Sequence, residues 1–367
     1  MSETTISGTA AIVTAAVPAG DRQRLRRRHG SFAPFVARRL LTMLVQVFAL
    51  SVLVFLLIRL LPGDPAAAIL GPHGSPEARE SLRARMGLDG SVVHQYIVYI
   101  GGVARGDLGY SWFTGSPVSS DLSTRAAATI ELIGLAAAVA IAAGFIVGVL
   151  SVRSQGKGPV AFAMRWYSRL AGSFPDFWVA MLATFIFSFV LQWAPAPVGR
   201  LSLSTTPPPR RTGLMIIDSL LAGDGYAFTD AVAHLALPVL VLGLIVAPMI
   251  GRVVAVALER TMASDYYRYA RSSGLPPHVM AWYVTKSVLP SLVTISAVVI
   301  IFLLSGAVLI ERIFAWNGVG QYVTDAVSNA DFAAIQGFIL VAGVFTVLVN
   351  LAADVIIASV DPRARLS

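Results

Sequence analysis

Six runs of apolar residues alternate with polar segments along the chain, at roughly 40–61, 129–152, 173–193, 232–250, 288–310 and 335–359. A helix needs about 20 apolar residues to cross about 30 Å of hydrocarbon. Backbone in lipid must also satisfy its own hydrogen bonds, which a helix does. The pattern predicts an all-α membrane protein with six transmembrane helices. The third run carries Asp176 near its start, and the fourth contains Pro238 and Pro248. The ends of those two are the least sharply marked.

One polar stretch interrupts this pattern with deliberate ends. Residues 262–290 lie between the fourth and fifth runs and read MASDYYRYARSSGLPPHVMAWYVTKSVLP. Ser264 is a good N-cap, its hydroxyl placed to accept from a first-turn amide, and Asp265 puts a negative charge at the positive end of the helix dipole. Gly274 suits the left-handed position just past a helix end, and Pro276 and Pro277 prevent continuation. A short helix over 265–273 is expected, with Tyr266, Tyr269, Ala270 and Ser273 on one face. Such a helix is suited to docking into another surface.

The other polar segments are read as follows. Residues 1–34 form a disordered basic tail, in which DRQRLRRRHG follows a weak apolar run; a secretory signal has the opposite order. Arg38 and Arg39 open the first span and Arg59 closes it at the outer interface, before Pro62, Gly63 and Pro65 break the helix. The external segment 62–128 is too long for a plain connection. It holds two short amphipathic helices, at 76–86 and after Gly87-Leu88-Asp89, with Tyr96, Tyr99, Tyr110 and Trp112 suited to an interface. His94 beside Gln95 reads as solvated, since no second ligand sits at helical spacing. Gly144 and Gly148 allow close helix packing, read as packing within the chain. Asp176, in the helix-breaking SFPDFW, either faces a polar seam or caps at the interface. Residues 194–231 are Pro-rich and irregular at their start. Trp316-Asn317-Gly318 turns a re-entrant or interfacial piece between the last two spans. Glu311 there is either a plain interfacial residue or a pathway residue able to meet an amino group. Asp354, inside the last span, must be paired or face water; Glu311, Asp354 and Asp176 are the candidate substrate-pathway residues.

Composition fits the membrane reading: of 367 residues 56% are hydrophobic and only 13% charged. The net charge of +8 raises the question of nucleic acid, but the distribution answers it. Basic residues concentrate before residue 40, in 153–171, in 251–287 and after 360, whereas 62–128 is near balance. That is the positive-inside pattern, with both termini cytoplasmic. No nucleic-acid partner is implied.

Enzyme signatures are missing from the sequence. GKG at 156–158 lacks the upstream glycine and following Ser/Thr of a phosphate-binding loop, so this chain does not bind ATP that way. There is no H-E-x-x-H, no G-x-S-x-G and no cysteine, and the five histidines are dispersed. No catalytic residue, metal site or resident cofactor is expected.

Several motifs carry a resemblance. The capped stretch resembles the cytoplasmic coupling loop of ABC-importer membrane subunits, whose motif is Glu-Ala-Ala, three residues, Gly, then Leu-Pro. Ala270, Gly274 and Leu289-Pro290 match it; Arg268 and Tyr269 stand where glutamate and alanine are usual. DYYRYARSSGL is similar to the version in dipeptide and oligopeptide permeases. VFLLIRLLPGDP, GLDGSVVHQYIVYIGGVARGDLGYSW, the run 303–337 and NLAADVIIASVDPRAR resemble the same permeases, with Asn317 where proline is usual. The resemblance covers roughly 35–365; segment 194–231 matches only loosely.

The resemblance implies a type I ABC importer permease fold over 35–365, with an external subdomain at 62–128 and a coupling loop at 251–287. It implies a non-catalytic subunit for peptide uptake, multi-pass in the bacterial plasma membrane. Its partners would be a homologous second permease, two ABC ATPases that bind ATP and Mg, and an extracytoplasmic substrate-binding protein. Coupling would run through Asp265, Tyr266, Arg268, Tyr269, Ala270 and Gly274. Related permeases also carry nickel, haem or glutathione. A secondary transporter driven by an ion gradient is the alternative, and an intramembrane enzyme the third reading; no internal repeat favours the former.

Overall fold

The structure, a computed structural model, describes residues 32–60, 75–85 and 90–360. The segment before residue 32, the break at 62–65, the Gly87-Leu88-Asp89 turn and the charged end after residue 360 lie outside the described residues. In chain order the elements are α1 (Phe32–Leu60), α2 (Pro76–Arg85), α3 (Val92–Ala104), β1 (Tyr110–Ser111), β2 (Ser116–Pro117), α4 (Val118–Arg153) and α5 (Gly158–Leu170). Then follow α6 (Asp176–Thr184, continued as π-helix over Phe185–Val190), α7 (Met215–Ala222), α8 (Gly225–Ala263), α9 (Asp265–Ser272), α10 (Pro277–Ile313), α11 (Val319–Ser328) and α12 (Phe332–Val360).

Five helices among the described residues, α1, α4, α8, α10 and α12, are long and apolar enough to cross a membrane. The third expected span is shorter. Pro175 opens α6, nine α-helical residues lead into six π-helical ones, and Gln192 at φ +56° turns the chain away. At 1.5 Å per residue that is about 22 Å, less than a full crossing. α8, in contrast, runs unbroken through Pro238 and Pro248. Each proline leaves the carbonyl four residues earlier without its helical donor, a loss that membrane helices tolerate.

α4 and α8 form the centre. Gly144 faces Ala247 and Ile250, Gly148 faces Gly251 and Val254, and Gly243 faces Ala136 and Val139. The numbers rise together, so the two helices run parallel. A Cβ at Gly148 would lie 2.7 Å from Val254 Cγ1 and 2.8 Å from the Gly251 carbonyl, so only glycine admits this approach. Gly144 and Gly148 therefore serve packing within the chain. α10 completes the core with Val299, Leu303, Ala307 and Ile310. α12 packs beside α10 and against α1.

The shorter elements between the long helices are tied onto this bundle. α3 lies on α1: Tyr96 bonds Ser51 at 2.8 Å, and Gln95 Oε1 accepts Arg59 Nε at 2.9 Å. The hairpin β1–β2 is held by Ser111 donating to buried Asp331 at 2.5 Å. The Pro-rich segment has no regular element before α7, yet side chains clamp it. Arg200 pairs with Glu131 of α4 at 2.5 Å, Asp230 of α8 accepts from Ser202, and Asp218 accepts from Thr212 and Gly213.

Candidate coupling surface and pathway residues

α9 is joined to α8 by Ser264 alone. Ser264 has the extended backbone of an N-cap, at φ −71° and ψ 149°. Contrary to the expectation from sequence, its hydroxyl does not accept from a first-turn amide of α9. It donates back to the Thr261 carbonyl, three residues earlier, at 2.5 Å, because the last turn of α8 leaves carbonyls without helical partners. The helix ends at Ser272, one residue before the expected limit. Gly274 adopts φ +71°, with its amide bonded to Arg271 and that of Leu275 to Ala270. A Cβ at Gly274 would touch nothing within 4 Å. Its backbone angle, not crowding, calls for glycine. Pro276 and Pro277 then open α10.

The expected docking residues are free to meet another surface. Tyr269 is 75% exposed, and Asp265 and Arg268 pair with each other at 2.8 Å in the open. An exposed pair of this kind contributes little to stability. Ala270 is half-buried. Tyr266 is half-exposed, and its hydroxyl meets Ser287 Oγ of α10 at 2.7 Å. α9 is thus continuous in the chain with α8 and α10 and tied to α10 through the Tyr266–Ser287 hydrogen bond.

The three carboxylates proposed for the pathway lie apart. Glu311, near the end of α10, is completely buried. Its Oε1 accepts from Thr129 at 2.5 Å, and its Oε2 accepts from the amides of Gly320 and Gln321 at 2.7 and 3.1 Å. A Cβ on Gly318 or Gly320 would collide with this carboxylate. Trp316, read as part of the turn, is buried and donates to the Ala128 carbonyl at 3.0 Å. Glu311 therefore anchors the first turn of α11 to α4 and presents no free oxygen to a passing amine. Asp354 pairs with Arg39 at 3.1 Å and joins the last span to the first. Asp176 begins α6 with its carboxylate toward α10, 3.3 Å from where a Cβ at Gly306 would be. It is the only one of the three with no partnering side chain in hydrogen-bond or ion-pair reach among the described residues.

Sequence reading missed Thr129, Glu131, Arg200, Asp218, Asp230 and Asp331. Apart from Asp218, which bonds Thr212 and Gly213 nearby, their partners lie far along the chain, as with Arg200 and Glu131, 69 positions apart. No local spacing announces such pairs. Among the described residues no group of three His, Asp or Glu side chains is placed to hold a metal ion.

Comparison with known proteins gives a consistent result. The family described as "Binding-protein-dependent transport system inner membrane component" matches residues 140–366, and its N-terminal companion, "Binding-prot-dependent transport system membrane comp, N-term", matches 32–133. The chain is 35% identical over 337 residues to the di/tripeptide transport system permease protein DppB of Pseudomonas aeruginosa, covering 90% of this chain and 98% of the relative. It is 35% identical over 342 residues to the dipeptide transport system permease protein DppB of Escherichia coli, with the same coverage. It is 31% identical over 336 residues to the glutathione transport system permease protein GsiC of Escherichia coli, again 90% and 98% of the two chains.

Proposed function

The chain belongs to the binding-protein-dependent transport system inner membrane component family, and from that premise we propose how it works as the permease subunit of a peptide ABC importer. The observation that carries the mechanism is α9: exposed, closed at its C-terminal end by Gly274, and continuous with two spanning helices. ATP and Mg bind partner ATPases, whose closure presses on Tyr269, Arg268 and Ala270. α8 and α10 move with α9 and turn the bundle from inward- to outward-facing. Transport follows from ATP stabilising one of two states, with no bond chemistry in this chain. A second permease subunit of the same family completes the pore, and an extracytoplasmic binding protein delivers the peptide.

The parallel arrangement of α4 and α8 supports six crossings. Their C-terminal ends, Arg153 and Ala263, lie on one side. The chain between them must return across the bilayer, and α6 with its flanking residues is the apolar segment available. Both basic segments, 153–171 and 251–287, then face the cytoplasm, as do both termini. The membrane is the bacterial inner membrane.

The test is uptake of a labelled dipeptide by cells expressing the whole transporter, beside ATP hydrolysis by the purified complex. Gly274→Val and Ala270→Asp should insert normally, hydrolyse ATP and fail to import. Unchanged import in both would remove α9 from the mechanism. Import that persists without the ATPases and follows an ion gradient would replace the ABC reading with a secondary transporter.

A further inference from the structure

At the end of the bundle that carries Arg153, a cavity of about 370 Å³ is lined by Arg165, Arg169 and Arg252, with Ser151, Ser154 and Ser168 beside them. The loop and helix from 153 to 171 contain Arg153, Lys157, Arg165 and Arg169 and no carboxylate. None of the three lining arginines pairs with an acidic side chain among the described residues. Arg165 spends one nitrogen on the Gly156 carbonyl at 2.8 Å, which holds the loop around the cavity. Three like charges gathered at one opening repel each other and call for an anion.

A second cavity adjoins it. A groove of about 580 Å³ runs between α5, α6 and α8, lined among others by Tyr167, Leu170, Trp178, Ala183, Val241 and Ile245. Its wall is almost wholly apolar. The two cavities share α5, which gives Arg165 and Arg169 to one and Tyr167 and Leu170 to the other. They also share a stripe of α8: Val241, Ile245 and Arg252 are spaced at i, i+4 and i+11. From Ile245 to Arg252 the rise is about 10 Å. Tyr167 marks the junction, its hydroxyl donating to the Leu244 carbonyl at 2.5 Å. The cationic pocket and the apolar groove thus flank α5 on two of its faces, and Arg252 of the one stands about two turns along α8 from Ile245 of the other.

We propose that this pair of cavities binds an anionic phospholipid, its headgroup phosphate on Arg165, Arg169 and Arg252 and an acyl chain along the groove between α5, α6 and α8. Charge complementarity selects the headgroup, since a zwitterionic lipid brings its own cation into the pocket. The groove selects a lipid over a free phosphate, which would leave the apolar wall uncovered. The lipid fills the gap beside α6, which is too short for a full crossing, and so braces it against α8. The inference uses the membrane topology above, but its readout does not depend on transport. Failure of lipid binding would leave the importer reading intact, and failure of ATP dependence would leave the lipid result intact.

The full-length chain, purified in mild detergent and stripped of lipid, is titrated with phosphatidylglycerol, with phosphatidylcholine of the same acyl chains, and with inorganic phosphate. Native mass spectrometry counts bound lipid and thermal unfolding reads stabilisation. Phosphatidylglycerol should bind more tightly than phosphatidylcholine and raise the unfolding temperature, while phosphate does neither. Arg169→Gln with Arg252→Gln should weaken phosphatidylglycerol by about thirtyfold and leave phosphatidylcholine unchanged. Ala183→Trp, which fills the groove and spares the arginines, should weaken both lipids. Equal binding of the two lipids, phosphate stabilising as well as phosphatidylglycerol, or an unaltered preference in the arginine variant would overturn the proposal. So would loss of bound lipid when the second permease is present, which would make the groove a subunit interface.

Discussion

The hydroxyl of Thr129 lies 2.5 Å from Oε1 of Glu311, and its oxygen also accepts the amide of Val319 at 2.9 Å. Two residues 182 positions apart therefore close a knot among α4, α10 and α11. The second carboxylate oxygen of Glu311 accepts two amides from the first turn of α11. Amides at a helix N-terminus have no partner within the helix, and a buried carboxylate there meets both the hydrogen bonds and the dipole.

Glu311→Ala should destabilise the chain by about 3 kcal/mol, because the amides of Gly320 and Gln321 and the Thr129 hydroxyl lose their acceptor in a buried place. Glu311→Gln should cost less, since it keeps the volume and one acceptor. The checks are thermal unfolding in detergent and the KM for peptide. Reduced stability with an unchanged KM is expected. A raised KM at full stability would put Glu311 on the peptide path after all.

Gly148→Ala should separate α4 from α8, because its Cβ would stand 2.7 Å from Val254 Cγ1. The expected cost is about 1–3 kcal/mol. A second change, Val254→Ala, removes the opposing methyls and should restore part of the loss in a double-mutant cycle. Equal stability of wild type and Gly148→Ala would contradict the packing.

Tyr266→Phe removes the hydroxyl that meets Ser287. The loss to stability should be about 1 kcal/mol or less. Its larger effect should appear in coupling. With α9 no longer stapled to α10, more ATP should be hydrolysed per peptide imported, a ratio measured in reconstituted vesicles.

Arg39→Ala and Asp354→Ala should each lower the yield of folded protein, because each leaves the other charge unpaired between the first and last spans. The exchange Arg39→Asp with Asp354→Arg should recover yield above either single charge reversal. Independent losses that merely add would show that the 3.1 Å pair does not join the helices.

Acid should loosen the Pro-rich segment around α7. Burial alone would raise the carboxyl of Asp218, but hydrogen bonds from Thr212, Gly213 and Arg211 outweigh it and hold the group below the usual carboxylate range. A depressed pKa in the folded state adds stability above the unfolded pKa, lost as pH falls through the folded value. Proteolysis between residues 200 and 222 should therefore accelerate below the ordinary carboxylate range. In Asp218→Asn, cleavage should be faster at neutral pH and change less with acid.

Amino-acid order by itself was enough for the membrane class, the positions of the apolar runs and the short helix after Ser264, expected over 265–273 and found at Asp265–Ser272 without the side-chain cap. Each of these depends on local physics: run length against bilayer thickness, a proline after a helix, a glycine where φ is positive. It also carried the resemblance, because the coupling stretch and the DYYRYARSSGL spacing are contiguous. What it did not hold was the identity of partners far along the chain. Glu311 looked like a lone charge near a membrane surface until α4 brought Thr129 to it, and Asp354 like a buried acid until α1 supplied Arg39. The Pro-rich segment looked loose because its clamps, Glu131 and Asp230, sit on helices elsewhere. Only the tertiary structure decided these pairings, since burial and the three-dimensional position of an acceptor are not functions of neighbouring residues. The same holds for the arginine pocket: its charges are visible in the sequence, but their convergence beside an apolar groove arises from how α5 folds back on α8.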